Sequence, residues 1–375
     1  MSAGALVSLV SKGAQDVFIM NNESEDSHFR AKYTRRTNFS QFPKLIKTID
    51  DKHASIVIPS FGDIINAVWF EGYNLPDLFF GSTVDLYIGG VKVDSHKFDY
   101  ISDVWQNYMA DTWVKSQEIN NKTSTTNTNF QPMHFFFCDH KAFLPLCAIH
   151  SHEVEIRVNF DLTKFNGRTQ AQKTVRCYGN FVVLDTDERK QFMERKIDLL
   201  ITQCQSVEAP LTEHVTDNEI QEGGRNVIDI SSFNHPVKSL FFGYVANESN
   251  EQDDRFTFSS CDIMLNGQPL LEDMTPTYFH TVQNYYKSDY GVCNFVLSNK
   301  VPLYTRYFAY HFCLNASDYF PTGSTNFSRL DSARLVLRGV EKGQNRASDQ
   351  HLTVYAVNYQ ILTIHQGLAG IRFGS

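Results

Sequence analysis

Nine residues, His152-Glu153-Val154-Glu155-Ile156-Arg157-Val158-Asn159-Phe160, alternate strictly between polar and apolar from Glu153 onwards. A period of two places Val154, Ile156, Val158 and Phe160 on one face of an extended chain and Glu153, Glu155, Arg157 and Asn159 on the other. Such a segment has to lie in a sheet with one face against a core. Comparable runs occur at 54–58, 65–70, 174–184, 237–245, 307–313, 333–337 and 352–364, each bounded by turn-forming residues. Many short strands separated by turn signals point to an all-β chain of the sandwich or jelly-roll kind. The 30 Phe and 17 Tyr favour the same answer, because pleated faces accommodate aromatic rings. At 375 residues and 42% hydrophobic, the chain has length and apolar surface for two β domains of roughly 180 residues, which excludes disordered and collagen-like classes.

Two tight hairpins stand out. Gly89-Gly90 separates Asp85–Ile88 from Val91–Val93, and Asn266-Gly267 separates Asp262–Leu265 from Gln268–Leu270. Both dipeptides supply the positive φ angles of a two-residue hairpin turn. They also form a repeat. An offset of 177 carries Asp85 onto Asp262, Gly90 onto Gly267 and Gln106-Asn107-Tyr108 onto Gln283-Asn284-Tyr285. A period close to half the chain implies two copies of one domain. Between the halves, Asp185-Thr186-Asp187-Glu188-Arg189-Lys190-Gln191-Phe192 is the most helix-like segment. Asp185 or Thr186 can cap it, and Asp187 and Glu188 stand where the helix dipole favours negative charge. The run Asn120–Asn129 holds no apolar residue and is expected to be an exposed excursion.

The net charge of −8 argues against direct contact with nucleic acid, which calls for a basic patch. The single basic cluster, Arg30, Lys32, Arg35 and Arg36, reads as a solvated face or a subunit contact. No stretch reaches the roughly 18 apolar residues that cross a bilayer. Met1–Val10 lacks the cationic lead-in of a secretory signal. The seven cysteines (138, 147, 177, 204, 261, 293 and 313) include no CxxC pair and read as small buried residues of a reducing compartment.

His134, His140, His150 and His152, with Glu153 and Glu155, invite a metal site. A strand would place His150 and His152 on one face and the two glutamates on the other, so the ligands diverge and surface or interface histidines are expected instead. Asp253-Asp254 reads as a solvated loop, and Gly223-Gly224 as a turn. GxSxG, HExxH and phosphate-loop motifs are missing. The six N-x-Ser/Thr triplets, at Asn22, Asn38, Asn121, Asn247, Asn315 and Asn326, read as coincidences of composition. Trp69 and Trp105 sit beside apolar strand positions and are expected in a core, which leaves a carbohydrate-binding β-sandwich short of the aromatic groove it would need. No catalytic, cofactor-binding or metal-binding residue is assigned.

Gly13-Ala14-Gln15-Asp16-Val17-Phe18, followed by Phe29-Arg30-Ala31-Lys32-Tyr33-Thr34-Arg35-Arg36-Thr37-Asn38-Phe39-Ser40, closely resembles the opening of the major capsid proteins of nucleocytoplasmic large DNA viruses. The likeness continues in order through Gly62-Asp63-Ile64-Ile65, Leu75-Pro76, Ile88-Gly89-Gly90, Asp103-Val104-Trp105, Phe135-Phe136-Phe137-Cys138, Leu144-Pro145-Leu146 and His152-Glu153-Val154. Leu184–Arg189, Phe233–Lys238, Asn326–Asp331, Tyr355–Tyr359 and Gly367–Gly370 complete it. The resemblance implies two consecutive eight-stranded antiparallel jelly rolls with short helices in loops and linker. It implies an N-terminal arm over 1–20, a first roll over 21–185, a helical connection over 186–196 and a second roll over 197–375. It further implies a non-enzymatic shell subunit, a homotrimer with six rolls that tiles an icosahedral capsid. Its partners would be neighbouring capsomers, minor and penton proteins, and an inner viral membrane near the arm, with assembly in host cytoplasm. A minor shell protein of the same fold is the nearest alternative. The chain is shorter than many members of that family, which implies trimmed loops.

Overall fold

The computed structural model describes residues 2–16, 29, 33–110, 128–139, 142–212, 224–244, 256–289, 307–342 and 351–374. Met1–Asn38 is one compact unit and Phe39–Ser375 another. The first carries a helix, Ala3–Val10, with no buried side chain.

Among the described residues, the second unit opens with eight main strands: β1 Phe39–Ile49, β2 His53–Val57, β3 Ile64–Tyr73, β4 Thr83–Ile88, β5 Val91–Lys97, β6 Thr128–Pro132, β7 Val154–Asn159 and β8 Val175–Leu184, with the short strand Leu144–Pro145 added beside β3. They form two antiparallel sheets in the orders β1-β8-β3-β6 and β2-β7-β4-β5. Eight more main strands follow: β9 Ile197–Pro210, β10 Arg225–Asp229, β11 Pro236–Tyr244, β12 Ser260–Leu265, β13 Gln268–Met274, β14 Tyr307–His311, β15 Ala333–Arg338 and β16 His351–His365; of the shorter strands, Thr325–Asn326 pairs with β11, Phe256–Thr257 with Glu341–Lys342, and Leu368–Ile371 with the end of β16 as a C-terminal hairpin. Their sheets run β9-β16-β11-β14 and β10-β15-β12-β13. Adding eight to each strand number turns the first pair of orders into the second. The fold is a double jelly roll.

The predicted period-two strand is β7, with Val154, Ile156 and Val158 buried and Arg157 and Asn159 exposed. Ile156 lies opposite Ile56 on one side and Leu86 on the other, and all three have 0% exposure. The second roll has its own core, with Leu240, Phe242, Phe279, Phe308 and Leu335 in it. Both predicted hairpins form with positive φ at each central residue: 59° and 79° at Gly89 and Gly90, 49° and 76° at Asn266 and Gly267. Gly89 is doubly required, since a Cβ there would lie 2.5 Å from His152 Nδ1. The repeat extends further than the sequence showed. The helix Tyr100–Met109 corresponds to Tyr278–Val282 and Gln283–Lys287 at the same offset of 177. A bulge interrupts β3 at Ile65/Ala67 and β11 at Val237/Ser239.

Several expectations need correction. Thr128 and Asn129 belong to β6, where Asn129 is buried, so the polar run is not all excursion; its residues 120–127 lie outside the described residues. Strand β14 ends at His311 rather than 313. His150 and His152 lie in the turn ahead of β7 and not on a strand. Trp69 is only half-buried: it stands on the outward face of β3, stacked on Tyr178 with centroids 5.7 Å apart. Trp105 is buried, but on the helix Tyr100–Met109.

The expected helix spans Thr186–Glu194, its first amide held by the Asp185 side chain. Buried Asp63 fastens it to the first roll, accepting from Leu184 N at 2.9 Å and pairing with Arg189 Nε at 3.1 Å.

Candidate functional site

The surface that sets this molecule apart from a single sandwich is the seam between its rolls. The first roll contributes the helix Tyr100–Met109 and strand β5; the second contributes the outer face of its β9-β16-β11-β14 sheet. One continuous apolar cluster contains Tyr100 and Tyr108 together with Phe241, Tyr307, Ala309, Tyr355 and Val357. Tyr108 is 3% exposed, donates its hydroxyl to Tyr307 O at 2.6 Å, and packs 5.6 Å from the Phe241 ring. Tyr100 lies 5.5 Å from Tyr355. Burying aromatic rings in offset or tilted pairs stabilises beyond the area covered.

Polar contacts fix the register of this joint. Asp94 on β5 accepts from Cys204 N at 2.9 Å and also meets His96 Nε2 at 2.9 Å. Gln203 donates to Val93 O, and Lys97 pairs with Glu208. The chain end joins in. Ser151 N donates to Gly367 O at 3.0 Å, and His152 Nδ1 accepts from Ala369 N at 3.1 Å. Two sequence landmarks, the His152-Glu153-Val154 and Gly367–Gly370 stretches, thus meet in space.

The candidate metal ligands do not converge. His134 stacks on Trp105 with centroids 3.6 Å apart, His152 serves the C-terminal hairpin, and Glu155 accepts from Arg157 at 2.7 Å and from Ser55. His140 lies outside the described residues, as do Asp253-Asp254, Gly223, Trp113 and the triplets at Asn22, Asn121 and Asn247. Among the described residues, no group of three or more His, Cys, Asp and Glu side chains could hold a metal ion.

One hydroxyl–imidazole pair was not visible in the sequence. His311 Nδ1 lies 2.9 Å from Ser239 Oγ. At 1% and 0% exposure both are sealed in the seam, and burial with Lys238 and Lys287 nearby pulls the imidazole down to about 3. A ring that resists protonation so strongly is a poor general base, and the pair serves as packing, with Nδ1 bonded to Ser239 and Nε2 buried without a partner. Lys238 is 2% exposed and donates to Asp318 O at 2.7 Å; burial pulls its pKa down. It borders a small cavity between the rolls with Trp105, His134, Asp139, Thr202 and Tyr319. The six described cysteines are free, and burial raises each thiol, Cys138 to about 12. Such thiols are inert.

Comparison with known proteins agrees with this geometry. A family model described as the major capsid protein N-terminus matches residues 27–185, and one described as the large eukaryotic DNA virus major capsid protein matches 188–370. The major capsid protein of Pyramimonas orientalis virus is 27% identical over 425 aligned residues, covering 99% of this chain and all of that one. That of Paramecium bursaria Chlorella virus 1 is 26% identical, with both chains covered completely. Among solved structures, a quasi-atomic model of the PBCV-1 virus capsid superposes with a TM-score of 0.76 at 21% identity, over 93% of this chain and 100% of that chain. The Faustovirus major capsid protein superposes at 0.62 with 10% identity, over 96% of each. With two models that together run from 27 to 370, and the double jelly roll beneath them, the chain belongs to the major capsid proteins of large eukaryotic DNA viruses.

Proposed function

We propose that three copies of this chain close into a homotrimeric capsomer of six jelly rolls, and that these capsomers tile an icosahedral shell. The observation that carries the reading is the seam itself: two rolls of one topology already pack side by side in one chain, leaving outward faces for further copies. The segment boundaries proposed are an arm over 1–20, rolls over 21–185 and 197–375, and a connection over 186–196, which the helix Thr186–Glu194 and the two family-model spans support. The arm would face inward, toward minor and penton proteins and an inner membrane. The apolar residues of Ala3–Val10 favour this, with Val7 and Val10 exposed by 67% and 77%. A net charge of −8 supports a shell without direct genome contact. Free thiols, buried at Cys177, Cys261 and Cys313 and half-buried, against expectation, at Cys138, Cys147 and Cys204, suit assembly in a reducing host cytoplasm, with synthesis late in infection. No enzymatic role or cofactor is proposed. Native mass measurement on the purified chain tests the reading: a stable trimer is expected, and a monomer that binds glycans would overturn it.

A further inference from the structure

We infer that the contact between copies reproduces the seam inside one chain, with Tyr285 of the second roll docking on an aromatic cradle, Trp69, Phe130 and Tyr178, on the first roll of a neighbouring copy. This rests on the trimer proposed above and identifies its contact. The internal repeat sets plug and socket in correspondence. At the offset of 177, Tyr108 corresponds to Tyr285, Phe130 to Tyr307, Pro132 to Ala309 and Tyr178 to Tyr355. The ladders complete the set. Trp69 lies opposite Tyr178 and Pro132, as Phe241 lies opposite Tyr355 and Ala309, so Trp69 and Phe241 hold the same place.

Within the chain, Tyr108 packs on the Phe241 ring and donates to Tyr307 O, while Tyr100 covers Tyr355 in the same cluster. Its counterpart is exposed: Tyr285, 78% accessible, has only the edge-on ring of Tyr286, itself 74% accessible, at 4.8 Å among the described residues. The counterpart cradle is open as well, with Phe130 38% exposed and Trp69 and Tyr178 half-buried on the outward face of the β1-β8-β3-β6 sheet. Among the described residues, one chain therefore carries a filled joint, an exposed plug and an exposed socket of the same design. Plug and socket on different rolls cannot meet within a chain whose rolls are already joined, so the occupant is a second copy. The contact is heterologous and closes as a ring.

The sheet edges agree. Inside the chain, β5 meets β9, with Lys97 paired to Glu208. The equivalent strands between copies are β13 and β1. The first exposes Glu272 and Asp273, the second Lys44 and Lys47, so opposite charges face across the joint once more.

The test uses the full chain with Tyr285→Asp, Phe130→Asp and, as a control on the other sheet, Val227→Asp, Val227 being 50% exposed. Native mass spectrometry over a dilution series reads the trimer, and urea midpoints report the fold. Both joint variants should dissociate at concentrations at least tenfold above the wild type, with urea midpoints unchanged when compared at dilutions where every chain is monomeric, and the control should stay trimeric. An equimolar mixture of the two should give one-to-one pairs, because the intact Tyr285 of one meets the intact cradle of the other. A trimeric Tyr285→Asp, or a mixture that forms no pairs, would overturn this contact and leave the trimer standing. A monomeric wild type would overturn the trimer and the contact with it.

Discussion

Acid should loosen this protein through His311 before it reaches the carboxylates. The imidazole is sealed in the seam, bonded to Ser239, and held near a pKa of about 3 by burial and by the two lysines beside it. Unfolding would free it to titrate near the ordinary value of about 6.5. The sign follows: between those two values the unfolded chain binds a proton that the folded chain refuses, so stability is intact above about pH 6.5 and falls as the pH drops towards 3. A pH of 5 lies about 1.5 below the unfolded pKa and above the folded one, which corresponds to a loss of about 2 kcal/mol. Carboxylates held low, such as Asp262 beside Arg338, also lose stability in acid, but only as the pH approaches the unfolded value near 4. The window from pH 7 to 5 thus isolates the imidazoles. Urea unfolding of the wild type and of His311→Gln at both pH values measures the effect. His235, which burial also pulls down, calls for His235→Gln alongside. The His311→Gln chain starts from lower stability but should lose far less between pH 7 and 5. An equal loss in both chains would refute the reasoning.

Other perturbations have distinct expected outcomes. Ile156→Ala, between Ile56 and Leu86 in a fully sealed row, should cost about 2–5 kcal/mol in urea unfolding, and Ile156→Asp should abolish soluble protein, whereas Arg157→Ala, which loses an exposed pairing with Glu155 and a contact with the Tyr87 ring, should cost about 1 kcal/mol. Deleting Met1–Lys12 should leave the melting temperature and the trimer unchanged, while impairing assembly with inner shell components or membrane; light scattering of assembly mixtures checks it. Across a salt series, light scattering should report changed lattice assembly well before native mass shows monomers, because polar contacts between capsomers are screened while apolar contacts within them are not.

What could be read from the residues followed a simple rule. Segments with one wet and one dry face, such as β7, were legible, and so were the two hairpins whose turn residues are chemically constrained. Strand β1 was not flagged. It carries Pro43 and is exposed along most of its length, a composition tolerated because β1 is an edge strand with β8 as its one partner in the sheet order. Strand β6 was hidden because its inward residues are Asn129 and Gln131, polar side chains in a position where a core pattern leads one to expect apolar ones. The seam escaped for a different reason. Phe241, Tyr307 and Tyr355 look like core residues in any strand pattern, and only the structure shows that they belong to the outer face of a sheet, buried by a helix that precedes them by more than a hundred residues. His311 and Ser239 come together across a ladder, which no local spacing reveals.

The short connection through Thr186–Glu194 changes what failure means at the seam. Two rolls on one chain meet at the high effective concentration set by their tether, so their docking carries little of the translational and rotational entropy loss that separate molecules face. A defect such as Tyr108→Asp can open that joint, but the rolls have nowhere to go and will close again at every fluctuation. The same substitution at Tyr285 would act on partners that diffuse apart. Chemically identical changes 177 residues apart would therefore be read differently: the first in hydrogen-exchange protection at constant mass, the second in the mass itself.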